Sequence, residues 1–139
     1  MLYRNKLKDD PNKGKWLGIG GKLEQGETPD AAAVREVYEE TGLELKGYKY
    51  RGIVNFISDI YSDEAMHLYY SDDFTGEVKE CDEGDLRWIE KEKLKTLPLW
   101  EGDFIFFKLL EENAPFFELE LNYSGDKLVS AILNGEKIK

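Results

Sequence analysis

The chain has 139 residues and a formal net charge of −10 at pH 7. This length suits one domain, residues 1–139, with a buried core. The acidic balance disfavours a nucleic-acid polymer as partner, whereas a small nucleotide can arrive together with its metal ion. No apolar run is long enough for a membrane span, and the single cysteine, Cys81, excludes an internal disulfide. One cysteine fits a reducing cytoplasm, where we expect the protein to be, and we expect a monomer or homodimer.

The N-terminal segment mixes apolar and polar stretches. Residues 1–4 are typical of the end of a strand, and residues 5–15 of a polar loop that includes Pro11. Residues 16–21 are apolar and glycine-rich, which predicts a short strand or a turn.

The next segment carries the signals of a helix with defined ends. Thr28 is a plausible N-cap, and Pro29 suits the first helical position. Gly42 suits the left-handed conformation that follows many helices. The sequence therefore predicts a helix over residues 29–41.

The rest of the chain alternates strand-like and helical patterns. They predict strands at 48–57, 65–71 and 86–89, a short helix at 90–96, a longer helix at 100–113, and a C-terminal hairpin of 116–123 and 127–133. In the longer helix, Phe104, Phe107 and either Leu109 or Leu110 are expected to face inward. The sum is an α/β fold with a mixed sheet and two main helices.

Three glutamates of the first helix would share one face, because Glu36, Glu39 and Glu40 are three and four residues apart. Like charges repel, and Arg35 is the nearby cation. Carboxylate oxygens suit Mg²⁺, whose shell substrate phosphates often complete. A solvated acidic helix face is the alternative, but it explains neither the separate Glu27 nor the glycines at both ends of the run.

The same run resembles the Nudix box, Gly-x5-Glu-x7-Arg-Glu-U-x-Glu-Glu-x-Gly-U, in which U is a bulky aliphatic residue. Its defined positions are filled by Gly21, Glu27, Arg35, Glu36, Val37, Glu39, Glu40, Gly42 and Leu43. The resemblance implies the Nudix fold, a mixed sheet sandwiched between helices (α/β/α). Nudix domains usually open with a further strand, so about one strand is expected to be absent or replaced.

The resemblance also implies the roles of the site residues. The expected metal ligands, for Mg²⁺ or Mn²⁺, are Gly20 through its carbonyl, Glu36, Glu39, Glu40 and Glu83. One of the three helix glutamates would also be the general base, and the sequence does not distinguish among them. Arg35 would orient Glu27 or Glu36 rather than touch phosphate, and Glu27 is expected to form a loop-to-helix salt bridge.

The ligand most distant in sequence is Glu83, in the acidic segment 80–85. It lies five residues before Trp88, as an acidic residue does in the mammalian oxidised-purine nucleoside triphosphatases. A solvated acidic loop is the alternative.

Residues 97–110 resemble the helix start that frames the purine in 8-oxo-dGTP diphosphatases of the MutT type. By this resemblance Trp100 would stack on a base and Asp103 would hydrogen-bond to its edge. The alternatives are a core aromatic residue and a helix N-terminal acid. Leu17 and Gly102 depart from the base-contacting residues of that group, which leaves broad purine specificity or another nucleotide open.

The expected activity is hydrolysis of a nucleoside triphosphate, such as 8-oxo-dGTP, to the monophosphate and pyrophosphate. Hydrolysis of ADP-ribose or of dinucleoside polyphosphates is an alternative, and so is a non-catalytic Nudix-like nucleotide-binding module. Elsewhere, Trp16, Phe56, Tyr69 and Trp88 are expected in the core, and His67 is expected to be a packed or hydrogen-bonded strand residue.

Overall fold

The computed structural model describes residues 1–10, 12–21 and 23–139. Pro11, which the sequence places in the loop 5–15, lies outside the described residues. Within the described part, the elements in chain order are β1 (Leu2–Arg4), β2 (Trp16–Leu17), α1 (Pro29–Thr41), β3 (Glu44–Ser58), β4 (Glu64–Thr75), β5 (Gly84–Leu86), a 3-10 helix (Lys91–Thr96), α2 (Asp103–Glu111), β6 (Phe117–Ser124), β7 (Lys127–Leu133) and β8 (Glu136–Lys137).

The predicted ends of α1 are confirmed. Thr28 has extended backbone angles, and its side-chain oxygen accepts a hydrogen bond from the Ala31 N–H at 3.2 Å. At the other end, Gly42 has φ 81° and donates its N–H to the Tyr38 carbonyl at 2.9 Å. A side chain is excluded at Gly42, because a Cβ there would lie 2.9 Å from the carbonyl oxygen of Glu77.

The chain divides into two compact units. The first unit comprises Met1–Tyr48 and Ser71–Leu99. It contains α1 and a three-stranded antiparallel sheet in the order β2-β1-β5, in which Leu2 pairs with both Leu17 and Leu86. Leu2 is almost fully buried, so the central strand of this sheet anchors the packing of the unit.

The second unit comprises Lys49–Tyr70 and Trp100–Lys139. The five-stranded sheet has the order β4-β3-β6-β7-β8, and β3 runs parallel to β6, with Val54 opposite Leu119. Since β6 and β7 pair antiparallel, the predicted mixed sheet is confirmed. The buried core of this unit consists of Val54, Phe106, Phe117, Leu119, Leu121, Tyr123, Leu128 and Ala131. The prediction of one domain over 1–139 stays a prediction.

Several predicted boundaries and one inward face need correction. β3 and β4 are longer than predicted, α2 is shorter, and β8 was not expected. Phe107 and Leu109 pack against the core as predicted, but Phe104 is only half-buried and Phe106 takes the buried position. Nearly every residue from 104 to 110 is apolar, so hydrophobic periodicity alone could not fix the rotation of this helix.

The aromatic predictions had mixed outcomes. Phe56 packs against the core, and His67 is hydrogen-bonded through Nδ1 to the Tyr50 hydroxyl, as expected for a strand residue. Trp88 is a correction, because its side chain is 74% exposed rather than in the core. It lies beyond the end of β5 and stacks on Phe74 with ring centroids 5.7 Å apart. No described helix is both long and apolar enough to cross a membrane.

Candidate active site

Arg35 organises the acidic face of α1. Its Nε donates to Glu27 Oε2 at 2.7 Å and its Nη2 to Glu27 Oε1 at 2.9 Å, which forms a bidentate pair. This pair holds the pKa of Glu27 at about 2, with a smaller contribution from the Glu24 backbone N–H. The expected salt bridge between the loop and the helix is therefore present.

The third nitrogen of the guanidinium group donates hydrogen bonds to two further glutamates. Arg35 Nη1 lies 2.7 Å from Glu36 Oε1 and 3.0 Å from Glu39 Oε2. The carboxylates around it raise the pKa of Arg35 further above its already high value, with the Glu27 hydrogen bonds as the largest cause. Arg35 thus offsets the repulsion on this face and fixes the orientation of Glu36.

Gly21 is required by its contact with the same glutamate. A Cβ at Gly21 would overlap the carboxyl group of Glu36, so any other residue would force that carboxyl group away. By contrast, a Cβ at Gly18 or at Gly20 would meet no atom within 4 Å. The first glycine of the box therefore has a packing role beside a predicted catalytic residue.

Glu40 has a different environment from its neighbours. Its Oε2 accepts a hydrogen bond from the Gly20 N–H at 3.0 Å. Burial raises the pKa of the Glu40 carboxyl to about 7, and the negative charges of Glu83 and Glu36 add to this, although the Gly20 hydrogen bond and Arg4 oppose it. The contact observed with Gly20 is through its N–H, whereas its carbonyl was the predicted metal ligand.

Glu83 contacts Arg4, which is bound in turn by Asp10, and the sequence pattern indicated neither residue. Arg4 Nη1 lies 3.5 Å from Glu83 Oε2, and Arg4 Nε lies 2.6 Å from Asp10 Oδ2. Arg4 reaches Glu83 because β1 pairs with β5, which places Arg4 opposite Gly84. This pairing joins residues distant in the sequence, and no local pattern signals it.

The donor set has the chemistry of a magnesium site. All side-chain ligands predicted for the metal are carboxylates, and the negative charges of Glu83 and Glu36 both raise the pKa of Glu40. Within the described residues, however, no group of three or more acidic, histidine or cysteine side chains stands ready to hold an ion. Glu36 and Glu39 point to Arg35, and Glu83 points to Arg4. The residues fit Mg²⁺ by type; Glu36, Glu39 and Glu83 have arginine partners, whereas Glu40 accepts from the Gly20 N–H.

The residues predicted to contact a base lie in the second unit. Trp100 is half-buried and meets Tyr123 edge to face, with centroids 5.6 Å apart. Asp103 is the first residue of α2 and is only 5% exposed. The Tyr123 hydroxyl accepts from the Gly102 N–H at 2.8 Å; burial raises the pKa of Tyr123 to about 12, and the charge of Asp103 adds to this. These contacts give Trp100 a packing role, and base recognition stays a prediction.

Comparisons with known proteins identify the family of the chain. Residues 1–110 match the family model described as the NUDIX domain. The chain is 35% identical over 105 residues to the oxidized purine nucleoside triphosphate hydrolase of Danio rerio, an alignment that covers 74% of this chain and 67% of that protein. It is 34% identical over 102 residues to the Nudix hydrolase YvcI of Bacillus subtilis, covering 70% and 65%. The chain thus spans about two thirds of the length of these relatives.

A solved structure is similar over a longer stretch. The MutT protein from Bacillus halodurans superposes with a TM-score of 0.83 at 30% identity, and the match covers 97% of this chain and 89% of that one. The complete glutamate motif, the family match and this structural similarity lead to one conclusion. The chain belongs to the Nudix family.

Proposed function

We propose that this protein is a Mg²⁺-dependent pyrophosphohydrolase that converts a nucleoside triphosphate to the monophosphate and pyrophosphate. The observation that carries the proposal is the acidic face of α1. Glu36 is fixed between Arg35 and Gly21, and Glu40 is buried beside Gly20. A binding module would not need to keep every carboxylate of this motif, which favours the enzyme over the non-catalytic alternative.

The metal would be held by Glu36, Glu39, Glu40 and Glu83, with the Gly20 carbonyl as a further oxygen. When bound, Mg²⁺ supplies charge neutralisation on the phosphates and acidifies the attacking water. Arg35 keeps Glu36 and Glu39 oriented on one face of the helix. The proton of the attacking water would pass to one of the helix glutamates, Glu36, Glu39 or Glu40. Mn²⁺ has the same preference for oxygen ligands and is expected to substitute.

The substrate we propose is an oxidised purine nucleoside triphosphate such as 8-oxo-dGTP. It is supported by the named activity of the Danio rerio relative. It is also supported by the position of Trp100 and Asp103 at the start of α2, where the resemblance expects base contacts. Leu17 and Gly102 differ from the expected base-contacting residues, so selectivity for the oxidised base is expected to be moderate.

A substrate panel tests this function. The purified protein would be incubated with 8-oxo-dGTP, dGTP, dCTP, ADP-ribose and a dinucleoside tetraphosphate, with Mg²⁺ or with excess chelator. We expect pyrophosphate release from the triphosphates with metal and none with chelator. Glu40→Gln should lower the rate by orders of magnitude, whereas the exposed Glu44→Gln should leave it unchanged. Preferred cleavage of ADP-ribose or of the dinucleoside tetraphosphate would indicate a different substrate class. If none of the compounds is cleaved, the non-catalytic binding module is supported instead.

The proposal also covers the cellular compartment and the oligomeric state of the protein. The lone cysteine, Cys81, is buried in the first unit, which is compatible with a reducing compartment, so we propose the cytoplasm. A small nucleotide is the proposed partner, and a monomer or homodimer is the proposed state. Size-exclusion chromatography with light scattering would distinguish the two.

A further inference from the structure

Asp10 occupies an unusual place for an acidic residue of a surface loop. Its side chain is only 2% exposed. One carboxylate oxygen accepts from Arg4 Nε at 2.6 Å, and the other accepts from the Asn12 N–H at 2.9 Å. The Asp10 carbonyl also accepts from the Lys13 N–H. A buried carboxylate needs such partners, and Arg4 and Asn12 supply them here.

Arg4 uses two different nitrogens for two different carboxylates. Nε is committed to Asp10, and Nη1 lies 3.5 Å from Glu83. The first distance is that of a strong charge-assisted hydrogen bond, whereas the second is a looser ion pair. The guanidinium group is therefore bound firmly by Asp10 and forms a weaker ion pair with Glu83. The positive charge of Arg4 attracts the Glu83 carboxylate, but the two groups do not form a bidentate pair.

The backbone around Glu83 is tied to the same segment. The Lys6 N–H lies 3.4 Å from the Glu83 carbonyl, and Lys6 Nζ donates to the Cys81 carbonyl at 2.8 Å. A Cβ at Gly84 would overlap the carbonyl of Tyr3, so the loop can approach β1 this closely only because residue 84 is glycine. The position and the orientation of Glu83 therefore both depend on residues 3–6.

We infer that Asp10 and Arg4 form a positioning relay, in which Asp10 fixes the Arg4 guanidinium group and Arg4 holds Glu83 ready to serve as a metal ligand. The inference rests on the proposed metal site, because Glu83 is one of its ligands. Neither relay residue is itself proposed to touch the metal or the substrate. Residues that orient metal ligands typically change metal affinity about 10–100-fold when altered.

The key variant is Arg4→Lys, because lysine keeps the charge but cannot offer two nitrogens in a fixed fork. Mn²⁺ affinity would be measured by titration calorimetry without nucleotide. We expect Arg4→Lys to weaken binding about tenfold, and Asp10→Asn to weaken it similarly. The exposed Arg87→Lys is the matched control and should bind as the unaltered protein does. If Asp10→Asn does not fold, as judged by thermal unfolding, Arg4→Lys carries the test.

A double-variant comparison separates positioning from general damage. In a Glu83→Gln background, Arg4→Lys should cause no further loss of Mn²⁺ affinity, because the ligand that the relay positions is already gone. An equal loss in both backgrounds would overturn the relay, and so would tighter binding in Arg4→Lys, which would mean that Arg4 competes with the metal. If Mn²⁺ binding is insensitive to both Glu40→Gln and Glu83→Gln, the proposed metal site fails, and the relay fails with it. If those two weaken binding and Arg4→Lys does not, only the relay fails.

Discussion

The substitution Glu40→Gln should stabilise the metal-free protein while removing its activity. Folding raises the pKa of the Glu40 carboxyl from 4.5 to about 7, mainly through burial. A carboxyl group whose pKa is higher in the folded state binds its proton more tightly there. Stability is therefore lost as the pH rises from about 4.5 to about 7, over which the folded protein must ionise this group. Glutamine keeps the oxygen that accepts from Gly20 and carries no charge.

The size of the effect follows from the pKa difference. At about 1.4 kcal/mol per pKa unit, the ionisation penalty above pH 7 is at most about 3.5 kcal/mol. Glu40 is only partly buried, so solvent screening reduces this, and we expect a gain of about 1–2 kcal/mol in the free energy of unfolding. For a chain of this length, the melting temperature should rise by roughly 3–6 °C.

Urea unfolding in the presence of chelator measures the prediction at pH 4.5 and at pH 8. The gain of Glu40→Gln should be small at pH 4.5 and complete at pH 8, and Glu44→Gln should show neither. Adding Mg²⁺ at pH 8 should then stabilise the unaltered protein more than the variant, because the ion offsets the repulsion among the carboxylates. A gain that is equal at both pH values, or absent at pH 8, would refute the reasoning about burial and charge at this position.

Three further predictions concern single side chains. Glu27→Gln should destabilise the protein at pH 6. The difference in unfolding free energy between the variant and the unaltered protein should shrink as the pH falls from 4.5 towards 2, because the pair with Arg35 holds the pKa of folded Glu27 at about 2. A difference that acid unfolding shows to be independent of pH would contradict this. Gly21→Ala should displace the Glu36 carboxyl group and lower kcat about tenfold or more. Gly18→Ala is the control, because a Cβ at Gly18 has open space around it, and it should leave kcat unchanged. Equal rates in the two variants would show that the contact between Gly21 and Glu36 has no catalytic role. Asp103→Ala should lower kcat/KM for 8-oxo-dGTP relative to dCTP by about 2–10-fold, the worth of one hydrogen bond. An unchanged ratio would leave Asp103 with a structural role only.

Local signals made α1 the most predictable element. An N-cap, a first-position proline and a terminal glycine each act within a few residues, and all three hold in the structure at Thr28, Pro29 and Gly42. The rotation of α2 was not predictable in the same way, because its residues are almost uniformly apolar. The exposure of Trp88 was also missed, since it depends on β5 ending at Leu86, and sequence patterns place strand ends poorly.

The candidate site shows the same division between local and distant information. The spacing of the box supplied the type and position of Glu36, Glu39 and Glu40, and the resemblance supplied Glu83. Their partners were predicted only where those lie in the same motif, as for Arg35. The approach of Arg4 to Glu83 depends on the pairing of β1 with β5, so it required the fold.

Cationic side chains offset much of the negative charge of this acidic site. Glu36 and Glu39 share the positive charge of Arg35, and Glu83 has that of Arg4. Glu40 differs, because the contact described for its carboxylate is a hydrogen bond from the uncharged Gly20 N–H. Burial, which this single neutral donor offsets only in part, raises the pKa of the Glu40 carboxyl. A divalent cation bound beside Glu40 would offset this unfavourable charge, so metal binding and the ionisation of Glu40 would depend on each other.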